Sequence, residues 1–132
     1  WKRRIYAHSE KIDAWPQVLA NIIKDNHGID YEVTNTAVSG SSLGKSIDRI
    51  QRATNEKING IILNAGALTH YSYAIRDAIS AFKLPVVEVH LSDINKREEF
   101  RKTSVIKDVC LKQISGLGKN SYLEGLKALE SL

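Results

Sequence analysis

The sequence predicts an α/β domain with a parallel sheet. Segments with helical periodicity alternate along the chain with short extended segments, which is the pattern of strand–helix–strand units. One extended segment, residues 60–63 (GIIL), is a continuous apolar run, and such runs are typical of parallel strands that are buried on both faces. With 132 residues, the chain is predicted to form a single domain over residues 1–132.

Four helices are predicted, three of them before the last predicted strand. Apolar residues at three- and four-residue spacing mark the first, namely Ile12, Trp15, Val18, Leu19, Ile22 and Ile23. Pro16 belongs to its first turn or kinks it, and residues 26–28 stop it. Ile47, Ile50 and Ala53 mark the second helix. The third covers Tyr73–Phe82, and the closing helix covers residues 120–132.

The predicted strands lie between these helices. Ile29, Tyr31 and Val33 alternate with polar residues, which indicates a strand. Residues 60–63 and 86–91 are predicted as buried strands, and residues 109–115 as an extended segment. A short helical turn is predicted over residues 96–100.

Composition excludes several classes of function. The 42% apolar and 26% charged residues are those of an ordinary globular chain, and no apolar run approaches the ~20 residues that span a bilayer. The net charge is +4, but Lys and Arg are mixed with Asp and Glu, so we expect neither nucleic-acid nor membrane binding. The single cysteine, Cys110, fits a reducing cytoplasm. The spacings of common metal sites are absent, so no metal or cofactor is predicted.

Two predicted strands end in polar loops, residues 64–70 and 90–93. Ligands of open parallel sheets bind beyond the carboxyl ends of the strands. Because consecutive strands often lie side by side, we expect both loops to face one crevice.

The first loop offers Asn64 and Gly66, of which Asn64 can bind a ligand hydroxyl or a water while Gly66 permits close backbone approach. An ordinary turn explains both equally well. The second loop follows His90, and Glu88 lies two residues earlier on the same strand face. A buried carboxylate orients a histidine and raises its pKa, which suits a general acid. A purely structural His–Glu hydrogen bond is the alternative.

Further candidates are His70, Ser92, Arg101 and Tyr6. Ser92 and a planar Arg101 fork suit an anionic substrate, although a solvated charge cluster over residues 96–102 remains the plainer interpretation. His70 before a helix is often a surface residue. Arginines beside Tyr6 would lower the pKa of its phenol and make it a better base.

Together these segments resemble the type II 3-dehydroquinate dehydratase family. The family's strand–loop–helix signature matches residues 61–78 (IILNAGALTHYSYAIRDA), and its next strand and loop match residues 87–104 (VEVHLSDINKREEFRKTS). Residues 114–118 (ISGLG) with Tyr122 match its closing pattern, and residues 47–51 (IDRIQ) resemble the helix before the signature strand. The close match covers about residues 47–125.

The resemblance implies a flavodoxin-like fold, that is, a doubly wound parallel sheet in a three-layer α/β/α arrangement. It also implies a trimer-based homododecamer in the cytoplasm and a reaction of the shikimate pathway, which leads to aromatic amino acids. The reaction is the anti elimination of water from 3-dehydroquinate to 3-dehydroshikimate through an enolate, without a cofactor. This makes the chain a carbon–oxygen hydro-lyase.

The resemblance assigns roles residue by residue. Tyr6 is the base, Asn64 holds the water that stabilises the enolate, and His90 protonates the departing hydroxyl with support from Glu88. The substrate is bound by His70, Ser92 with the adjacent Leu91, Arg101 and Gly66, and Asp77 reaches into a neighbouring subunit's site.

The chain departs from the family in three places. The family's opening central strand has no counterpart, so we expect it upstream of Trp1. Ala7 follows Tyr6 where the family has Gly, and the family's loop arginine falls on Trp1, so that Arg3 or Arg4 takes its place. An acidic segment of the family is replaced by residues 39–45 (SGSSLGK). A catalytically impaired relative that binds small anions on the same fold is therefore the alternative hypothesis.

Overall fold

The computed structural model describes residues 3–9, 31–35, 60–82, 84–118 and 120–131, the first two segments as backbone. The helices predicted at residues 12–23 and 47–53, and the segment 39–45, lie outside the described residues.

Five parallel strands form one sheet. They are β1 (Arg3–Ser9), β2 (Tyr31–Asn35), β3 (Gly60–Asn64), β4 (Val86–His90) and β5 (Lys112–Ser115). Their order in the sheet is β2-β1-β3-β4-β5, which is the doubly wound order of flavodoxin-like domains. The predicted fold class is confirmed, and the strands predicted around residues 31–33, 60–63 and 86–91 are all present.

The N-terminal described segment is an interior strand of the sheet. Arg3–Ser9 forms β1, the second strand in the order, which pairs with β2 on one edge and with β3 on the other. Tyr6 lies opposite Thr34 and Ile61. In this position the backbone N–H and C=O groups of the segment are satisfied on both sides, as a buried backbone requires. The sequence predicted a strand upstream of Trp1, and the resemblance matches Tyr6 to a loop tyrosine of the family. In this structure residues 3–9 form an interior strand that contains Tyr6.

Two α-helices are described after β3. Helix α1 (Tyr73–Phe82) has the predicted bounds, and helix α2 (Asn120–Glu130) agrees with the predicted closing helix. The hydroxyl of Ser72 accepts a hydrogen bond from the Ile75 N–H (3.2 Å) and so caps the start of α1.

The loop after β4 is tighter than predicted. In place of one helical turn at residues 96–100 it contains two 3₁₀ turns, Ile94–Lys96 and Glu99–Lys102, because the backbone is extended at Arg97 and Glu98. Further 3₁₀ turns cover Gly66–His70 and Lys107–Val109, and the second of these shortens the predicted extended segment to β5.

Apolar residues cover both faces of the sheet. The cluster on the α2 face contains Ile62, Val87, Val89, Ile114, Tyr122, Leu126 and Leu129. The cluster on the α1 face contains Ile61, Leu63, Ala65, Ile75, Ile79, Val86 and Ile106. Successive strand residues point to opposite faces, so β3, which is buried along its whole length, feeds both clusters. The described residues thus form three layers, α1, sheet and α2.

No helix in the described part of the chain is long and apolar enough to cross a membrane.

Candidate active site

A cavity of about 380 Å³ lies beyond the carboxyl ends of β3 and β4. It is lined by Asn64, Gly66, Ala67, His70, His90, Leu91, Ser92, Ile94, Arg97 and Arg101. The two polar loops therefore face one crevice, as the sequence predicted, because adjacent parallel strands end at the same edge of the sheet.

The side chain of Asn64 is held on both sides of its amide. Its Oδ1 accepts a hydrogen bond from the Gly66 N–H (3.1 Å), and its Nδ2 donates to the Tyr122 hydroxyl (3.4 Å). Gly66 has φ +58°, a left-handed conformation that glycine adopts without strain. The Asn-x-Gly sequence therefore serves to aim a rigid amide at the cavity.

Glu88 and His90 form a hydrogen-bonded pair on β4. The Nε2 of His90 donates to Oε2 of Glu88 (2.5 Å), and Glu88 is fully buried. An ionised carboxylate only accepts hydrogen bonds, so Nε2 carries the hydrogen and Nδ1 is the nitrogen left for a ligand. His90 is itself 5% exposed, and its ring lines the cavity. The predicted same-face arrangement of these two residues is confirmed.

His70 lies across the cavity from His90, with ring centroids 6.3 Å apart and rings tilted by 18°. Its Nδ1 donates to the carbonyl oxygen of Thr103 (2.7 Å), which leaves Nε2 for a ligand. The Phe100 ring contacts His70 edge-on at 5.8 Å. The backbone and the aromatic ring together fix the orientation of the imidazole.

Arg101 approaches the cavity from the second 3₁₀ turn. Its Nε donates to Oε2 of Glu98 (2.5 Å), and its guanidinium lies 4.7 Å from the centre of the Phe100 ring. Hydrogen bonds from its own backbone N–H, and then from Arg101, lower the pKa of the Glu98 carboxyl. Glu98 thus engages the Nε of Arg101, and the other N–H groups of the planar guanidinium can bind an anion.

Arg97 also lines the cavity, although a solvated charge cluster was expected over residues 96–102. Its Nη1 lies 3.5 Å from the Ser92 hydroxyl, so it adds a second cation beside Ser92. The four-residue spacing of Arg97 and Arg101 was the available signal. The roles of Ser104 and Gln113, which donate to Glu88, had no such signal, because they depend on how distant segments pack.

Of the predicted site residues whose side chains are described, Glu88 and Asp77 are not among those that line the cavity. Glu88 is fully buried and bonded to His90, and Asp77 is exposed on α1. Tyr6 lies in the middle of β1, where it pairs with Ile61, whereas Asn64 pairs with Ser9 at the carboxyl end. Tyr6 therefore lies three residues, or about 10 Å, before the strand end at which Asn64 lies.

Cys110 is an inert thiol. It packs half-buried against the cluster on the α1 face, and burial, followed by the negative charge of Glu88, raises the pKa of its thiol to about 12. This environment is that of a packing residue and not of a nucleophile.

We therefore expect Cys110 to react at least ten times more slowly with a thiol reagent at pH 8 in the folded protein than in urea. A thiol whose pKa is raised by folding favours the folded state below its unfolded pKa of about 9, and this contribution is lost as the pH rises towards 12. The rate is measured from the coloured product that a chromogenic thiol reagent releases when it reacts with Cys110. Equal rates with and without urea would contradict the buried placement.

Among the described residues, no group of three or more His, Cys, Asp or Glu side chains is arranged to hold a metal ion.

Known proteins resemble this chain over most of its length. The model of the dehydroquinase class II family matches residues 4–130. A 3-dehydroquinate dehydratase of Caldicellulosiruptor saccharolyticus is 57% identical over 89 residues, which cover 67% of this chain but only 61% of that protein. That of Caldicellulosiruptor bescii is 45% identical over 119 residues, 90% of this chain and 81% of that protein.

Solved structures match over nearly the whole chain. The type II dehydroquinase of Butyrivibrio crossotus superimposes with a TM-score of 0.75 at 33% identity, covering 98% of this chain and 97% of that one. The type II dehydroquinase of Propionibacterium acnes superimposes with a TM-score of 0.79 at 26% identity, covering 99% of this chain and 97% of that one. Together with the family match over residues 4–130, these similarities lead to one conclusion: the chain belongs to the dehydroquinase class II family.

Proposed function

We propose that the protein is a 3-dehydroquinate dehydratase that eliminates water from 3-dehydroquinate by an anti, cofactor-free route through an enolate. One observation carries the proposal. Asn64 and His90 end adjacent strands and line one cavity, and the buried Glu88 holds His90. In a member of this family, Asn64 offers a group that stabilises the enolate, and His90 offers a proton donor within the same site.

His90 supplies the proton that the leaving hydroxyl needs. Its Nε2 is bonded to Glu88, so proton transfer to the substrate takes place at Nδ1. The low exposure of both residues limits competition from bulk water. A general acid fixed in this way lowers the barrier for expelling a poor leaving group.

Asn64 stabilises the enolate oxygen through a water molecule. Its amide is held by Gly66 and Tyr122, so the remaining N–H has a fixed direction before the substrate arrives. A preorganised donor stabilises developing negative charge without reorganisation in the transition state.

Other residues that line the cavity bind the substrate. Ser92, the backbone beside Leu91, Arg101 and His70 together bind the carboxylate and the hydroxyl groups of the substrate. His70 can do so through Nε2, because Nδ1 is engaged with a backbone carbonyl. Gly66 has no side chain to obstruct the approach of the substrate.

Tyr6 remains our candidate for the base on the resemblance alone, and its position within β1 argues against this role. The Tyr6→Phe variant tests whether Tyr6 is the base. If Tyr6 is the base, kcat falls by about 10³-fold because the phenolate is the group that takes the proton, while KM changes little. An unchanged kcat would assign the base to another residue.

The direct test of the function is the absorbance rise of the enone product after 3-dehydroquinate is added to the purified protein. We expect a rise that depends on enzyme concentration and that the His90→Ala variant abolishes. A folded protein that binds the substrate without any rise would instead support the alternative, a small-anion binding relative.

That alternative has one observation in its favour. The anion-binding side chains Ser92, Arg97 and Arg101 line the cavity, whereas Tyr6 lies about 10 Å back along the sheet. Thermal stabilisation by 3-dehydroquinate without turnover is its expected result.

We further propose a homo-oligomer, a trimer-based dodecamer, in which Asp77 completes a neighbouring subunit's site. Asp77 is exposed on α1 and so is free to reach another chain. We expect Asp77→Ala and His90→Ala each to be inactive alone, but to regain activity when co-expressed, because mixed assemblies contain sites with neither change. Light scattering gives the subunit count. No recovery in a confirmed mixed oligomer would contradict a shared site.

We place the enzyme in the cytoplasm, acting on a small molecule in the shikimate pathway, since its lone buried thiol needs no oxidising compartment. We expect no specific binding to duplex DNA or to lipid vesicles, because basic and acidic residues are mixed along the chain.

A further inference from the structure

Glu88 is hydrogen-bonded to three side chains, one on its own strand and two on other segments of the protein. Besides accepting from His90, its Oε2 accepts from Nε2 of Gln113 on β5 (2.8 Å), and its Oε1 accepts from the hydroxyl of Ser104 (2.9 Å). The Ser104 oxygen in turn accepts from the Lys107 N–H (3.1 Å). Both carboxylate oxygens are therefore engaged, although Glu88 is fully buried.

The position of Gln113 follows from strand pairing. Glu88 and Gln113 are opposite each other in the register of β4 and β5, so their side chains leave the same face of the sheet. Ser104 reaches the other oxygen from the loop that precedes the Lys107–Val109 turn. The carboxylate is thus held between a strand and a loop and has no freedom to rotate away from His90.

We propose that Gln113 and Ser104 are positioning residues for the proton donor: they fix the orientation of Glu88 and thereby set the direction in which His90 presents its proton. This proposal rests on the proposed function, since it concerns the step in which His90 protonates the leaving hydroxyl. Neither residue lines the cavity, so both act only through Glu88.

The loss of a donor changes the hydrogen bond between Glu88 and His90. Each neutral donor withdraws negative charge from the carboxylate. Without the donation from Gln113, more charge remains on Oε2, the same oxygen that accepts from His90. The bond from the ring to Oε2, and the position of the ring relative to the substrate, then change.

Other ionisable groups face this pair and must be considered in any pH profile. The thiol of Cys110 adjoins Glu88, His70 stacks on His90, and Arg97 and Arg101 line the same cavity. The variants leave these four groups unchanged. A shift in the profile of the variants relative to the wild type therefore reports on the Glu88–His90 pair.

The test compares Gln113→Met with Lys112→Met. Methionine keeps the length of glutamine without its N–H donors, and Lys112 is the exposed neighbour on the same strand. For Gln113→Met we expect kcat to fall about 10-fold, which corresponds to loss of one hydrogen bond to a charged group, with KM within twofold. We also expect the alkaline limb of the pH–kcat profile to move. Lys112→Met should match the wild type.

Ser104 provides an independent pair of variants. Ser104→Ala removes the donor to Oε1 and should change kcat and the alkaline limb in the same directions. Ser104→Thr keeps the hydroxyl and should restore both. If Gln113→Met does not fold, this pair decides. Normal kinetics in Ser104→Ala and Gln113→Met, or a loss of melting temperature with an unmoved alkaline limb, would overturn the proposal.

A measurement without turnover separates this proposal from the proposed function. The His90 N–H proton, bonded to Glu88, should give a downfield resonance that Gln113→Met shifts and Lys112→Met does not. An inactive wild-type protein would contradict the dehydratase function alone. An unshifted resonance in Gln113→Met would overturn the positioning role whether or not the protein is active.

Discussion

Replacing His90 by alanine is expected to lower kcat for 3-dehydroquinate dehydration by about 10³-fold, the central value for loss of a general acid. The leaving hydroxyl then departs without a proton donor. The fold should persist, because Glu88 keeps the hydrogen bonds from Ser104 and Gln113 and so is not left without partners in the interior.

Initial rates from the enone absorbance, together with a melting curve, check this expectation. Added imidazole should restore part of the activity of His90→Ala, since it can occupy the vacated space and its protonated form can donate the proton. His70→Ala is the matched control: it removes the stacked ring on the other side of the cavity and should mainly raise KM. Near-normal kcat in a folded His90→Ala protein would exclude His90 as the acid.

Replacing Gly125 by leucine is expected to destabilise the fold by about 3 kcal/mol and to lower the melting temperature by roughly 10 °C. Gly125 lies where α2 crosses the sheet. A Cβ there would meet Val89 at 3.2 Å, Ile62 at 3.4 Å and Val87 at 3.5 Å. The added atoms would push the helix away from three residues of the core, and close-packed interiors yield little to such insertions.

Thermal and urea unfolding measure this effect. Lys127→Leu adds a similar side chain to an exposed site on the same helix and loses only a surface ion pair with Glu124, so we expect a change within about 0.5 kcal/mol. Equal stability of the two variants would show that α2 does not approach the sheet as closely as described.

The parts of the site that follow from local geometry were predicted from the sequence. Alternation along a strand places Glu88 and His90 on one face, and parallel strand ends bring Asn64 and His90 to one crevice. The bounds of α1 follow from its apolar spacing. These features depend only on neighbours in the chain and on general rules of sheet topology.

The partners of Glu88 required the tertiary structure. Gln113 contacts it because of the register between β4 and β5, and no local pattern sets a register between parallel strands. Ser104 reaches the same carboxylate through a loop whose path depends on two separate 3₁₀ turns.

The sequence by itself determined the fold class, the polar strand ends and the order of the chemical groups along the chain, because periodicity and composition are local properties. The tertiary structure decided where residues 3–9 lie. The resemblance matches their tyrosine to a loop residue of the family, yet pairing on both edges with β2 and β3 places them in an interior strand of the sheet. The strand positions of Tyr6 and Gln113 are decided by hydrogen bonds to distant segments, which the local sequence does not encode.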